Sequence, residues 1–157
     1  AREHFVRLHL RITRGAKAGD DAISHIGHIL QCPKCPYRTE QTGMVPPART
    51  CPHCGEPLDP VGPLWLGPIM KPEIVDQMMA LLPERELGTK KEFGKILLCC
   101  REELPIAGFY DYHQLAQILK CSPPNITTVL DRIQAAGYAV SRTHYCGTGI
   151  KTDSRSY

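Results

Sequence analysis

Residues 31–55, QCPKCPYRTEQTGMVPPARTCPHCG, hold two Cys-x-x-Cys pairs, Cys32 with Cys35 and Cys51 with Cys54, separated by fifteen residues. That interval falls within the range of a four-cysteine zinc site. Two residues between paired ligands let both sulfurs point at one ion from a tight turn, and a second turn completes a tetrahedron. Pro33, Pro36, Pro52 and Gly55 favour turns over helix, as does VPPAR at 45–49. Other uses of the cysteines fit less well. Disulfides need an oxidising compartment, and a total of eight cysteines that includes the adjacent Cys99 and Cys100 gives no secreted framework. A thioredoxin-like site needs one such pair at a helix start, not two matched copies. A catalytic zinc keeps one position for water, whereas four cysteines close the shell. The expectation is a structural zinc on Cys32, Cys35, Cys51 and Cys54 within a ribbon over 30–58. His53 reads as an exposed histidine in the second knuckle. Cys99, Cys100, Cys121 and Cys146 read as packing residues.

Working outward, 157 residues can bury one core plus a small satellite that needs its own staple. Hydrophobic content of 42% with 22% charged residues is that of a soluble globular chain, and no apolar run approaches the roughly 18 residues of a membrane span. No membrane partner is expected. The absence of an initiator Met and of a signal-peptide pattern suggests a piece of a longer protein. Residues 1–38 carry seven Lys and Arg against three acidic residues, 39–109 seven against ten, and 110–157 five against three. With basic ends and an acidic middle, nucleic-acid binding has to rest on local patches rather than on the net +3.

HFVRLHLRI at 4–12 alternates like a half-buried strand, with Val6, Leu8, Leu10 and Ile12 on one face and Phe5, Arg7, His9 and Arg11 on the other. DDAISHIG at 20–27 predicts a short helix ended by Gly27, followed by a strand, HILQC, that feeds the first knuckle. VGPLWLGPI at 61–69 predicts an edge segment anchored by Trp65. PEIVDQMMALL at 72–82 predicts a helix with Ile74, Val75, Met78, Leu81 and Leu82 inward. Thr89 and Glu92 form a capping box for a second helix, whose apolar face carries Phe93, Ile96, Leu97, Cys100 and Leu104. Asp111 and Gln114 start a third helix, and Ser122-Pro123 caps a fourth that ends at Gly137. A three-residue break between those two, then the alternating YAVSRTHY, resembles a winged helix. As a DNA reader the last helix is weak, offering Asn125, Thr127, Thr128, Asp131, Arg132 and Gln134 with a single cation. The expected fold is α+β: a small antiparallel sheet with helices on one side, a zinc-ribbon insertion and a helical winged-helix-like part over 72–157.

GPLWLGPI (62–69) and SRTHYCGTGIKTDS (141–154) carry a resemblance that runs from the first strand to Lys151-Thr152-Asp153. In these motifs the chain resembles the carboxy-terminal region of the tRNA guanine-N2 dimethyltransferases, archaeal and eukaryotic enzymes that modify the guanine at tRNA position 26. Members of that family keep the cysteine cluster to different extents, so zinc rests on the spacing here. The resemblance implies a Rossmann-like domain upstream that binds S-adenosylmethionine; this chain has no such glycine loop and no Asp-Pro-Pro-Tyr-like catalytic motif. The chain is therefore expected to be the tRNA-recognition half of the enzyme, with tRNA and the amino-terminal catalytic domain as partners. Its expected location is cytoplasmic, or nuclear or mitochondrial in a eukaryote. The expected RNA contacts are Arg7, His9 and Arg11 on the first strand and Arg142, Thr143, His144 and Lys151 in the tail. The alternative is a free-standing zinc-ribbon and winged-helix regulator.

Overall fold

The computed structural model describes residues 9–154. The chain divides into two compact units, one reaching to Gly67 and the other covering Pro68–Ser154. Both are built on small antiparallel sheets, so the fold is α+β with two three-stranded sheets in place of the single one expected. Among the described residues no helix is long and apolar enough to cross a membrane.

In the first unit, helix α1 (Ala16–Ser24) leads into strand β1 (Ile26–Gln31), which is flanked by β2 (Arg38–Thr42) and β3 (Asp59–Trp65) in the order β2-β1-β3. Central position explains why Gly27, His28, Ile29 and Leu30 are buried in succession, without the alternation of a half-exposed strand. Gly27 does not end the helix; His25 does, and Gly27 lies inside β1. A side chain there would bring Cβ to 2.3 Å from the Gln41 carbonyl oxygen and 2.6 Å from Leu66 Cδ1, so the position admits only glycine. The edge segment at 61–69 is realised as β3, and Trp65 stacks on His25 with ring centroids 4.9 Å apart.

Half of the expected first strand, Arg7 included, lies outside the described residues. From His9 to Ile12 the chain forms no strand, and Leu10 and Ile12 are 80% and 90% exposed. Alternation specifies a strand only where a neighbour supplies ladder hydrogen bonds. No strand pairs with residues 9–12 among the described residues.

The second unit begins with α2 (Pro72–Leu81), a 3-10 turn at Leu82–Glu84 and α3 (Lys90–Glu102). Val75 and Leu97 are their buried residues, while Ile74, Met78 and Leu81 stand 52%, 40% and 48% exposed, contrary to the inward face expected. Thr89 does occupy the N-cap of α3, yet its side chain makes no capping hydrogen bond. After β4 (Tyr110–Asp111) come α4 (Tyr112–Ile118) and α5 (Ile126–Ala135), then β5 (Val140–Arg142) and β6 (Gly149–Thr152), in the sheet order β4-β6-β5.

Asp111 caps α4 by accepting from the His113 N–H at 2.9 Å. Asn125, not Ser122-Pro123, caps α5 by accepting from the Thr127 N–H, so the break between these helices is longer than three residues. Gly137, at φ 88°, closes α5, with its N–H on Gln134 O and that of Tyr138 on Ile133 O, a Schellman ending.

Candidate functional site

Two clusters of chemistry-bearing side chains stand out, one in each unit. The first is built by two matched turns. The Cys32 N–H donates to the Tyr37 carbonyl at 2.9 Å, and the Cys51 N–H to that of Glu56 at 2.7 Å, so each Cys-x-x-Cys is folded back within a closed turn. The turns bring Cys32 Sγ to 3.4 Å from Cys54 Sγ and Cys35 Sγ to 3.5 Å from Cys51 Sγ, and all four sulfurs lie within 4.8 Å of one another.

Tetrahedral zinc–sulfur bonds of about 2.3 Å place the sulfurs about 3.8 Å apart, so the cluster fits such an ion. Electrostatics point the same way. Burial pushes the Cys32 thiol up, but backbone N–H groups of Lys34 and Cys35 and the thiols of Cys54 and Cys35 bring it down to about 7. Cys35 goes the other way: against a backbone hydrogen bond from Tyr37 that favours the thiolate, burial and the sulfurs of Cys32, Cys51 and Cys54 push it up to about 12. Such a cluster accommodates one negative charge and resists a second, a conflict that a bound dication removes.

Cys32 and Cys51 are also half of the core of this unit, with Leu30 and Leu58. His53 is exposed as expected, its ring against Tyr37 at 5.2 Å. On a four-coordinate ion these four sulfurs would leave no open coordination position, an arrangement suited to holding structure rather than to activating water.

The second cluster is organised by Glu103, a residue that the sequence pattern alone does not single out. Its side chain is fully buried at the C-terminal end of α3, where the helix dipole disfavours a carboxylate. Four donors from the tail compensate. Oε1 accepts from Thr143 Oγ1 and from the Lys151 ammonium, both at 2.9 Å; Oε2 accepts from the His144 N–H at 3.1 Å and contacts His144 Nδ1 at 2.5 Å. Burial alone would raise the Glu103 carboxyl, but these hydrogen bonds from His144, Lys151 and Thr143 hold it at about 2. His144 rises to about 9, through a hydrogen bond with Cys100 first and with Glu103 second, against the opposing pull of burial. Gly149 lets the tail close over this cluster, since a Cβ there would fall 2.3 Å from Thr143 Cγ2.

The expected RNA-contact residues are thereby separated. Thr143 and Lys151 are 4% and 3% exposed with their polar atoms on Glu103, and His144 is 14% exposed. These three face inward rather than forming a patch, because Glu103 requires their charge and hydrogen bonds. Arg142 is exposed, with a guanidinium nitrogen 3.4 Å from the Gly147 carbonyl oxygen, and His9 and Arg11 are exposed on irregular chain. Arg7 lies outside the described residues. Cys121, expected to pack, is exposed. A signal for Glu103 was present: it sits three residues after Cys100 and seven after Ile96, a carboxylate on the apolar stripe of its own helix.

Comparison with known proteins gives a consistent answer. A model of the family "N2,N2-dimethylguanosine tRNA methyltransferase" matches residues 1–156. The chain is 59% identical over 154 residues to a tRNA (guanine(26)-N(2))-dimethyltransferase of Methanoregula boonei, covering 98% of this chain and 41% of the relative. It is 49% identical to the protein of that name from Methanoculleus marisnigri, covering 98% of this chain and 42% of the relative. Among solved structures, Trm1 from Pyrococcus horikoshii in complex with S-adenosyl-L-methionine matches with a TM-score of 0.74 and 31% identity, over 89% of this chain and 35% of that one. The chain thus spans about two-fifths of the length of the curated relatives it matches.

Proposed function

We propose, on the premise that this chain belongs to the N2,N2-dimethylguanosine tRNA methyltransferase family, that it is the carboxy-terminal, tRNA-facing part of an enzyme that methylates the exocyclic N2 of guanine 26. The observation that carries this reading is the family match over residues 1–156, in a chain that corresponds to two-fifths of its relatives. The amino group at N2 is a poor nucleophile because its lone pair is delocalised into the ring. Catalysis then depends on placing that nitrogen accurately, and a domain that grips tRNA by phosphate and ribose supplies the placement. S-adenosylmethionine, held by the rest of the polypeptide, supplies the methyl group.

Within this chain Cys32, Cys35, Cys51 and Cys54 hold a structural zinc that replaces a larger hydrophobic core in the first unit. In the second unit, α3, β4, α4, α5, β5 and β6 with the sheet order β4-β6-β5 support a winged-helix reading, with α5 as the helix that would face nucleic acid. In the second unit Arg142 supplies a cation for phosphate, and Thr143, His144 and Lys151 support its segment from within; in the first unit Arg11 and His9, with Arg7 from the sequence pattern, are the phosphate contacts. The relatives disfavour a free-standing regulator, since those matched are tRNA methyltransferases.

The test is methyl transfer from labelled S-adenosylmethionine by the full-length protein to a tRNA transcript with guanine 26 and to one with adenine there. Label that depends on guanine 26 is expected. Equal labelling of both transcripts, or none of either, would overturn the reading.

A further inference from the structure

Tyr145 belongs to the tail, yet neither cluster uses its ring. That ring stacks on Phe109 with centroids 5.8 Å apart and 13° between the planes, and its centroid lies 4.1 Å from that of His144. The backbone beneath it is fixed as well. The Tyr145 N–H donates to Thr143 Oγ1 at 3.4 Å, and the Thr143 N–H to the Gly149 carbonyl at 3.2 Å. Phe109 packs so closely on Gly149 that a Cβ there would fall 3.0 Å from its Cδ2. Thr143 and His144 are in turn held by the Glu103 carboxylate. For all this support, Tyr145 remains 43% exposed. A single exposed tyrosine is ordinary, but an exposed ring whose orientation is set by a second ring and a clamped turn is a preformed surface for a flat partner.

We propose that Tyr145, backed by Phe109, is the platform on which an unpaired base of the tRNA stacks, with Arg142 taking an adjoining phosphate. Charge around the ring suits that partner. A guanidinium nitrogen of Arg142 lies 3.4 Å from the Gly147 carbonyl, which puts this exposed cation at the turn that carries Tyr145. The nearest carboxylate, Glu103, is buried and already shared between Lys151 and His144. Burial first, and the Glu103 charge after it, raise the Tyr145 phenol, so the ring itself is neutral. A neutral ring beside a cation matches a nucleotide, which presents a flat base and an anionic phosphate. The inference rests on the reading of this chain as tRNA-facing, and adds the kind of nucleotide it takes. That nucleotide lies outside base pairs, because a base within a duplex keeps both faces in its own stack. Every base has a π-face, so the platform selects an unstacked nucleotide rather than a sequence.

The experiment compares the full-length protein with its Tyr145→Phe and Tyr145→Leu variants in binding a tRNA transcript and a fully paired RNA duplex over a range of salt. Phenylalanine keeps the π-face and should bind tRNA as the wild type does. Leucine keeps apolar bulk without that face, and should weaken tRNA binding about tenfold. Its salt slope should stay that of the wild type, since no charge is removed. Duplex binding should be equal in all three proteins. Should the leucine variant lose its fold, ultraviolet cross-linking of wild-type protein to the tRNA still decides, with a nucleotide expected on the tryptic peptide 143–151. Wild-type affinity in Tyr145→Leu, an equal loss on the duplex, a phenylalanine variant as weak as leucine, or cross-links confined to other peptides would overturn the proposal. Leucine binding like phenylalanine would mark the ring as an apolar contact for protein instead. Methylation that depends on guanine 26 is scored separately on the wild type, so its persistence beside any of these results would remove the platform and leave the enzyme reading standing.

Discussion

Replacing Glu103 by glutamine keeps the shape of the side chain and removes its charge, leaving Lys151, only 3% exposed, with no ion pair among the described residues. Removing one partner of a buried ion pair costs about 3–5 kcal/mol, since the other charge stays desolvated. At about 1.4 kcal/mol per tenfold, backbone amides of the tail should then exchange hydrogen about a hundredfold faster or more. Peptide-resolved hydrogen exchange over residues 141–154 measures this, and α1 in the other unit serves as an internal control that should not change.

The pH dependence supplies a second arm. Glu103 is held at about 2 against an ordinary 4.5, so its contribution is fully present above 4.5 and is lost as pH falls toward 2. His144 is raised to about 9 from 6.5, so its contribution is fully present below 6.5 and is lost as pH rises through 9. Protection of the tail, corrected for intrinsic rates, should be greatest between those limits. In Glu103→Gln the acid-side loss should vanish, while the alkaline-side loss should shrink but survive, because Cys100 is the first cause of the His144 shift. Less than a threefold change in exchange, or an acid-side loss that persists in the variant, would refute the account of Glu103 as the post on which the tail is hung.

Three further outcomes are expected. Cys54 is exposed, so Cys54→Ser removes a ligand without removing core volume; zinc content by elemental analysis should fall from one per chain toward zero, and the β2-β1-β3 unit should become protease-sensitive. Gly27→Ala drives a Cβ to 2.3 Å from a backbone carbonyl and should destabilise the same unit by about 1–3 kcal/mol, read in urea unfolding followed by Trp65 fluorescence. Arg142→Ala in the full-length protein should weaken tRNA binding and flatten its salt dependence by about one unit of slope, with the fold intact by hydrogen exchange; an unchanged slope would return Arg142 to a solvated edge.

What could be read in advance divides by the range of the interaction. The clustering of the four cysteines was legible because a four-ligand site would dictate both the residue type and the spacing, and the two turns carry that spacing locally. Helices α2 to α5 were legible for a similar reason: periodicity and caps such as Asp111 act within four residues. The errors began where a local pattern needed a distant partner. Leu10 and Ile12 alternate correctly with their neighbours, yet among the described residues no strand beside them converts alternation into a ladder. On α2, the apolar stripe of Ile74, Met78 and Leu81 predicts an inward face, though in this chain it stands open.

The tail shows the same limit in electrostatic form. Arg142, His144 and Lys151 are chemically equivalent in a sequence pattern, each a cation suited to phosphate. What separates them is a carboxylate about forty residues upstream, which takes His144 and Lys151 and leaves Arg142 outside. A cation's partner is a property of the fold, but the need for one can be seen earlier. Glu103 falls on the apolar stripe that Ile96 and Cys100 define, and a carboxylate there must either break the packing or recruit buried donors. Within the tail motif Thr143, His144 and Lys151, nine residues end to end, are the donors that such a carboxylate requires. Joined, the two anomalies imply that the motif closes on α3 before it can face anything else. On that argument any tRNA contact made by this segment depends on the Glu103 cluster for its shape, and Glu103→Gln should lower tRNA affinity in the full-length protein although Glu103 itself touches no RNA. Unchanged affinity in that variant, with the tail shown to be loosened by exchange, would separate the motif from RNA recognition altogether.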